Sequence, residues 1–128
     1  MKIALSSVMV DDHAKALRFY TEVVGFVKAK DVPMGDARWL TVVAPEGSPE
    51  IELVLEPNGF PPAQVFQRAL VEAGIPWTSF ESKNVREDHA RLEKKGVVFK
   101  TPPTEMGPVT VAMFEDGCGN LIQIHQAT

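Results

Sequence analysis

Two side chains near the end of the chain, Gln123 and His125, combine a carboxamide and an imidazole, groups able to grip a ligand or move a proton. They lie in "GNLIQIHQ", where strand alternation sends Leu121, Gln123 and His125 to one side and Ile122 and Ile124 to the other. The same rhythm in "EIELVLEP" sets Glu52 beside Glu50, Val54 and Glu56, with Ile51, Leu53 and Leu55 opposite. Each polar row reads either as a solvated strand face or as the floor of a site. A carboxylate turned inward at Glu52 needs a donor or a proton, because unpaired burial costs several kcal/mol. Gln123 is one such donor, so a purely structural Glu–Gln hydrogen bond is the competing reading.

The remaining reactive residues point less firmly to chemistry. His13 falls in a first helical turn, and His89 shares a helix face with Arg86 and Glu93. Both read as surface residues. Trp77 and Trp39 fit core packing, or an apolar wall for a planar ligand. Arg38, beside Trp39, reads as exposed or as a clamp for a ligand carboxylate. Cys118 sits in a "DGCGN" turn with no neighbouring cation to activate it. Lys94 and Lys95 suit the last turn of a helix. Neither a Walker A loop nor a dinucleotide-binding glycine motif occurs.

The elements that position these residues come in two rounds. Strand 2–10 leads into a helix capped at Asp11 or Asp12, with Ala16, Phe19, Tyr20 and Val23 on one face and Gly25 as its stop. Strands at 26–32, 37–45 and 50–57 follow. The second round runs through strand 76–82, a helix from Asn84 to Gly96, strand 97–100, a loop at 101–107, strand 108–116 and strand 120–126. Gly25 to Gly96 and Glu52 to Gln123 are both spaced by 71 residues, so one βαβββ unit is used twice. Between them "NGFPPAQVFQRALVEAGI" reads as an ordered helical connector, started by Pro61 and Pro62, with Ala63, Phe66, Leu70 and Ala73 as its apolar side. The expectation is one α+β domain over 1–128, with modules at 1–57 and 76–128 and the connector at 58–75.

Composition narrows the classes. Hydrophobic residues make up 45% of the 128, enough for a packed core. A net charge of −4 gives no reason to seek nucleic acid or an anionic membrane. A single cysteine excludes an internal disulfide and suits a reducing compartment. With no signal-peptide pattern and no membrane-spanning apolar run, a cytoplasmic location is expected.

The double βαβββ pattern, "VDDHAKALRFYTEVVGF" with Asp12, Ala16, Phe19, Tyr20 and Gly25, and "FEDGCGNLIQI" near the end resemble the vicinal oxygen chelate superfamily. This is the group of glyoxalase I, bleomycin resistance proteins and extradiol dioxygenases. The resemblance implies curved mixed sheets around a cup, helices outside, and pairing as a homodimer. Metal-dependent members carry four ligands, one on the first and one on the last strand of each module. Carried over, those positions fall on Leu5, Glu52, Trp77 (or its neighbour Pro76) and Gln123. Only Glu52 is a good metal ligand, and it is also the candidate catalytic group.

Those residues imply a member that binds a small organic ligand without a tight metal, in a cup lined by Leu5, Glu52, Trp77, Gln123 and His125, with Trp39 and Arg38 as further contacts. No cofactor is expected. Drug-binding members of the group are acidic and bind cationic aromatic compounds without metal. The alternative is a lyase, isomerase or dioxygenase holding Zn, Ni, Fe or Mn at an altered site built from Glu52, Gln123 and His125. A third reading makes the cup purely structural, in an interaction module.

Overall fold

The computed structural model describes residues 1–128, which form two compact units, Met1–Gln64 and Val65–Thr128. In the first, β1 (Leu5–Val10) leads to α1 (His13–Arg18) and a five-residue π-helical turn at Phe19–Val23. β2 (Val27–Met34), β3 (Ala37–Val43) and β4 (Glu52–Pro57) follow. The sheet order is β1-β4-β3-β2, with β1 parallel to β4 and the other pairs antiparallel. Parallel neighbours need a long crossover, and here the rest of the module supplies it.

Alternation gives this sheet two different faces. One buries Val8, Val10, Leu40, Val42 and Leu55, together with Ala16 and Tyr20 of the helical segment. The Asp12 carboxylate caps α1 by accepting from the Lys15 amide at 2.9 Å. His13 is not the surface residue its position suggested: its Nε2–H donates to the Leu55 carbonyl at 2.9 Å, tying α1 to β4. The helix expected to run to Gly25 leaves α geometry at Phe19, and the Val24 amide reaches back five residues to the Phe19 carbonyl. Gly25, where φ is 102°, lies thirteen positions after the cap Asp12. In the second unit Gly96 lies twelve positions after the cap Asn84. The π turn takes up the extra residue.

The connector forms α2 (Pro61–Ala73), as expected, but rotated from the expected face. Gln67 is buried, whereas Phe66 is 55% exposed. Then come β5 (Thr78–Glu81), α3 (Val85–Lys94), β6 (Phe99–Met106), β7 (Val109–Glu115) and β8 (Leu121–Ala127). The order β5-β8-β7-β6 reproduces the first sheet, again with first and last strands parallel. Val85 and Leu92 of α3 are buried, as are Ala112, Phe114, Ile122 and Ile124 of the sheet. The α+β class and the twofold βαβββ plan expected from the sequence are present. One segment differs: 101–107, expected as a loop, belongs mostly to β6. Pro102 and Pro103 are tolerated there because β6 is an edge strand whose register shifts twice, between Phe99 and Thr101 and between Thr101 and Thr104. No helix is long and apolar enough to cross a membrane.

The turn between β7 and β8 is held by Asp116, which is 1% exposed. Its Oδ1 accepts from the amides of Cys118 (2.7 Å) and Asn120 (3.1 Å), and its Oδ2 from the Asn120 side chain (2.8 Å). Asn120 in turn accepts from the buried Gln67 amide at 2.9 Å, which explains the rotation of α2. Asp116→Ala strands two amides, each worth about 1–3 kcal/mol when left unsatisfied. Urea unfolding is expected to show a loss of roughly 2–4 kcal/mol. A loss within ~0.5 kcal/mol, the range of an ordinary surface change, would contradict this role.

Candidate functional site

In the first unit, the sheet face away from α1 carries Leu5 and Ser7 of β1, Glu52 and Val54 of β4, Trp39 and Thr41 of β3, and Lys30 and Val32 of β2. Leu5 lies directly opposite Glu52, as the two-module pattern implies. The Glu52 side chain is 14% exposed and is held on both oxygens. The Thr41 hydroxyl, fully buried, donates to Oε1 at 2.5 Å, and Lys30 Nζ donates to Oε2 at 3.0 Å. A bulge between Lys28 and Lys30 brings Lys30 opposite Thr41, within reach of the carboxylate. The Thr41 bond above all, and then Lys30, holds the Glu52 carboxyl below the usual glutamate range against the opposing effect of burial. The donor foreseen for Glu52 was Gln123; the donors found are Thr41 and Lys30. Neither was singled out in the sequence, because both lie on strands whose pairing is set by the bulge.

Arg38 and Trp39 are consecutive on β3 and so point to opposite faces. Trp39 shares the face of Glu52. Arg38 shares the face of the buried Leu40, where it makes a two-point ion pair with Asp31 at 2.7 and 3.1 Å. These two residues therefore do not line one surface.

In the second unit, the sheet face away from α3 carries Ser79, Leu121, Gln123, His125, Val111 and Met113. Gln123 and His125 do share a face. The residue opposite Gln123 on β5 is Ser79; Trp77, expected at this place, lies in the bend just before β5. Counting by the repeat misplaced this position because the cap Asp12 lies seven positions after Leu5, but the cap Asn84 only five after Ser79. Ser79 is the centre of a polar cluster that the sequence reading missed, although its alternation with Trp77 was the available signal. Gln123 Nε2 donates to Ser79 Oγ at 3.1 Å, and Ser79 Oγ bonds His125 Nδ1 at 2.7 Å. Half-buried Trp77 donates its backbone amide to the Leu121 carbonyl at 2.8 Å, and its indole meets Phe66 edge-on at 5.8 Å between ring centres.

The four positions of the metal pattern therefore hold Leu5, Glu52, Ser79 and Gln123, of which one is an anion already bound to an ammonium and a hydroxyl. No group of three or more His, Cys, Asp or Glu side chains is placed to hold a metal ion. This donor set does not fit a divalent cation. A shallow depression lined by Val71, Glu115, Gly117, Gly119, Asn120 and Leu121 holds none of these polar groups.

A titration of the Glu52 carboxyl followed by carbon NMR is expected to lie below the usual glutamate value of about 4.3. Its contribution to stability is then complete above the unfolded-state value and is lost as pH falls through the lower folded value. Thr41→Val should raise this pKa more than Lys30→Ala does. A wild-type carboxyl titrating at or above the ordinary value would contradict the assignment.

The sequence matches the Glyoxalase/Bleomycin resistance protein/Dioxygenase superfamily over residues 2–124. It is 49% identical to the uncharacterized protein YurT of Bacillus subtilis (strain 168) over 126 residues, covering 98% of this chain and 99% of that one. Among solved structures, UcmS2 superposes with a TM-score of 0.84 at 30% identity, covering 98% of this chain and 97% of its own. TnmS3, an antibiotic binding protein from Streptomyces sp. CB03234, superposes with a TM-score of 0.77 at 31% identity, covering 100% and 97%. With the paired βαβββ modules and a family match spanning nearly every strand of both, this chain belongs to the glyoxalase/bleomycin resistance protein/dioxygenase superfamily.

Proposed function

We propose that this protein binds a small organic ligand, in the manner of the superfamily's binding proteins, and does so without a tightly held metal. The observation that carries the reading is the state of Glu52. Its carboxylate is satisfied by Thr41 and Lys30, so the charge an ion would supply is supplied by the chain itself. The other metal positions hold Leu5 in the same unit and Ser79 and Gln123 in the second, and these residue types suit contact with an organic molecule better than ligation. The likeness to TnmS3, itself an antibiotic binding protein, supports the same reading. Trp77, which leads into the strand of Ser79, and its neighbour Phe66 offer aromatic surface to a planar ligand.

A screen of aromatic antibiotics by tryptophan fluorescence tests the binding. A bound ligand should change the emission, and Trp77→Ala should weaken binding by about 1–3 kcal/mol as stacking and burial are lost. Trp39→Phe, which keeps a ring, should leave affinity nearly unchanged. Equal losses at both positions would point to general destabilisation and remove Trp77 from the site.

Metal independence is tested separately. After incubation with zinc, nickel, cobalt or manganese and desalting, elemental analysis should find far less metal than protein. A stoichiometric ion that is lost in Glu52→Gln would overturn the metal-free reading.

A further inference from the structure

The partners of Ser79 favour one direction of hydrogen bonding, and that direction decides what the cluster can recognise. Ser79 Oγ carries one proton and has two partners. Gln123 Nε2 is a donor and occupies a lone pair of that oxygen. Sending the hydroxyl proton to the other partner, His125 Nδ1 at 2.7 Å, uses that proton within the cluster, whereas a donating Nδ1–H would take the second lone pair of Oγ and leave the hydroxyl proton without a partner there. An imidazole whose Nδ1 accepts carries its proton on Nε2 when neutral. We infer that the Gln123–Ser79–His125 relay holds His125 as its Nε2–H tautomer and presents that N–H as a donor to an oxygen acceptor of an aromatic ligand: a carbonyl, carboxylate or phenolate.

The placement supports this. Gln123 and His125 stand two residues apart on β8, and both converge on the one hydroxyl of β5, so the ring is held by the sheet rather than by its own rotamer alone. The hydrogen-bonded ring edge is the Nδ1 edge, and the half-buried imidazole leaves Nε2 for a ligand. Trp77, two residues before Ser79 in the chain, packs edge-on against Phe66 and is the nearest tryptophan in sequence to the cluster. In the first unit Val54 occupies the place of His125, Leu5 that of Ser79 and Glu52 that of Gln123, so the relay exists only once in the chain. Ser79 is here a positioning residue, acting on the ligand through His125.

This inference rests on the ligand-binding reading, and two measurements keep the two separable. The first needs no ligand. Imidazole nitrogen shifts of the free protein, recorded at about pH 8.5, above the ordinary imidazole range, should show His125 as Nε2–H. Ser79→Ala should give a mixture of tautomers, and Ser79→Thr, which keeps the hydroxyl, should preserve the wild-type form. A wild-type Nδ1–H tautomer means the relay runs the other way and overturns the inference. The second measurement titrates naphthoate and naphthylmethylammonium, one ring bearing opposite charges. Naphthoate should shift the His125 signals and bind about tenfold more weakly to Ser79→Ala and to His125→Phe, the loss of roughly one charged hydrogen bond. The cation should bind all three proteins alike. Equal naphthoate affinity across the three proteins overturns the inference while ligand binding stands. Failure of both probes to bind the wild type counts against both readings.

Discussion

The parallel pairing of each module's first strand with its last is the constraint on which the rest depends. Two parallel strands cannot be joined by a tight turn, so a helix and two further strands must be spent returning the chain to the starting edge. That return covers one sheet face with a helix and leaves the other free of the module's own helix. It also places residues from opposite ends of the module side by side: Leu5 against Glu52, and Ser79 against Gln123. Polar side chains on the face turned away from that helix, distant in sequence, thereby become neighbours without any loop having to carry them.

The two modules then use equivalent places for different ends. Row by row, Lys30, Thr41, Val54 and Ser7 correspond to Thr104, Val111, His125 and Glu81. In the first sheet β2 and β3 supply an ammonium and a hydroxyl to a carboxylate on β4. In the second, β6 and β7 offer at this row only Thr104 and the apolar Val111, and the polar contacts lie between β5 and β8 instead. A carboxylate with little exposure needs charge or donors close by, which accounts for the concentration of partners around Glu52. A neutral carboxamide such as Gln123 requires far less, and one serine hydroxyl suffices.

The sequence carried the element types, the repeat and the two faces of each strand, because apolar alternation and helix caps act locally. Val8, Val10, Leu53, Leu55, Ile122 and Ile124 all face as their spacing implies. What escaped it depended on register. The bulge that brings Lys30 to Thr41, and the shorter connection that brings Ser79 rather than Trp77 opposite Gln123, are decided by pairing between strands far apart in the chain. Pro102 and Pro103 read as a loop because a proline is unwelcome in most strands; only the edge position of β6 makes them acceptable. Gln67 was invisible for the opposite reason. A glutamine on an apolar helix face looks out of place until its partner, Asn120, is known.

The π turn at Phe19–Val23 gives the first module a degree of freedom that the second lacks. A helix that widens by one residue for a single turn absorbs an insertion inside its own length. Its cap at Asp12 and its exit at Gly25 can then serve the same two strands as the shorter α3 does with Asn84 and Gly96. Two copies of one unit can thus differ in length while keeping the same strand order. The helix itself, as well as the connection that leads into it, takes up a difference in length between the modules.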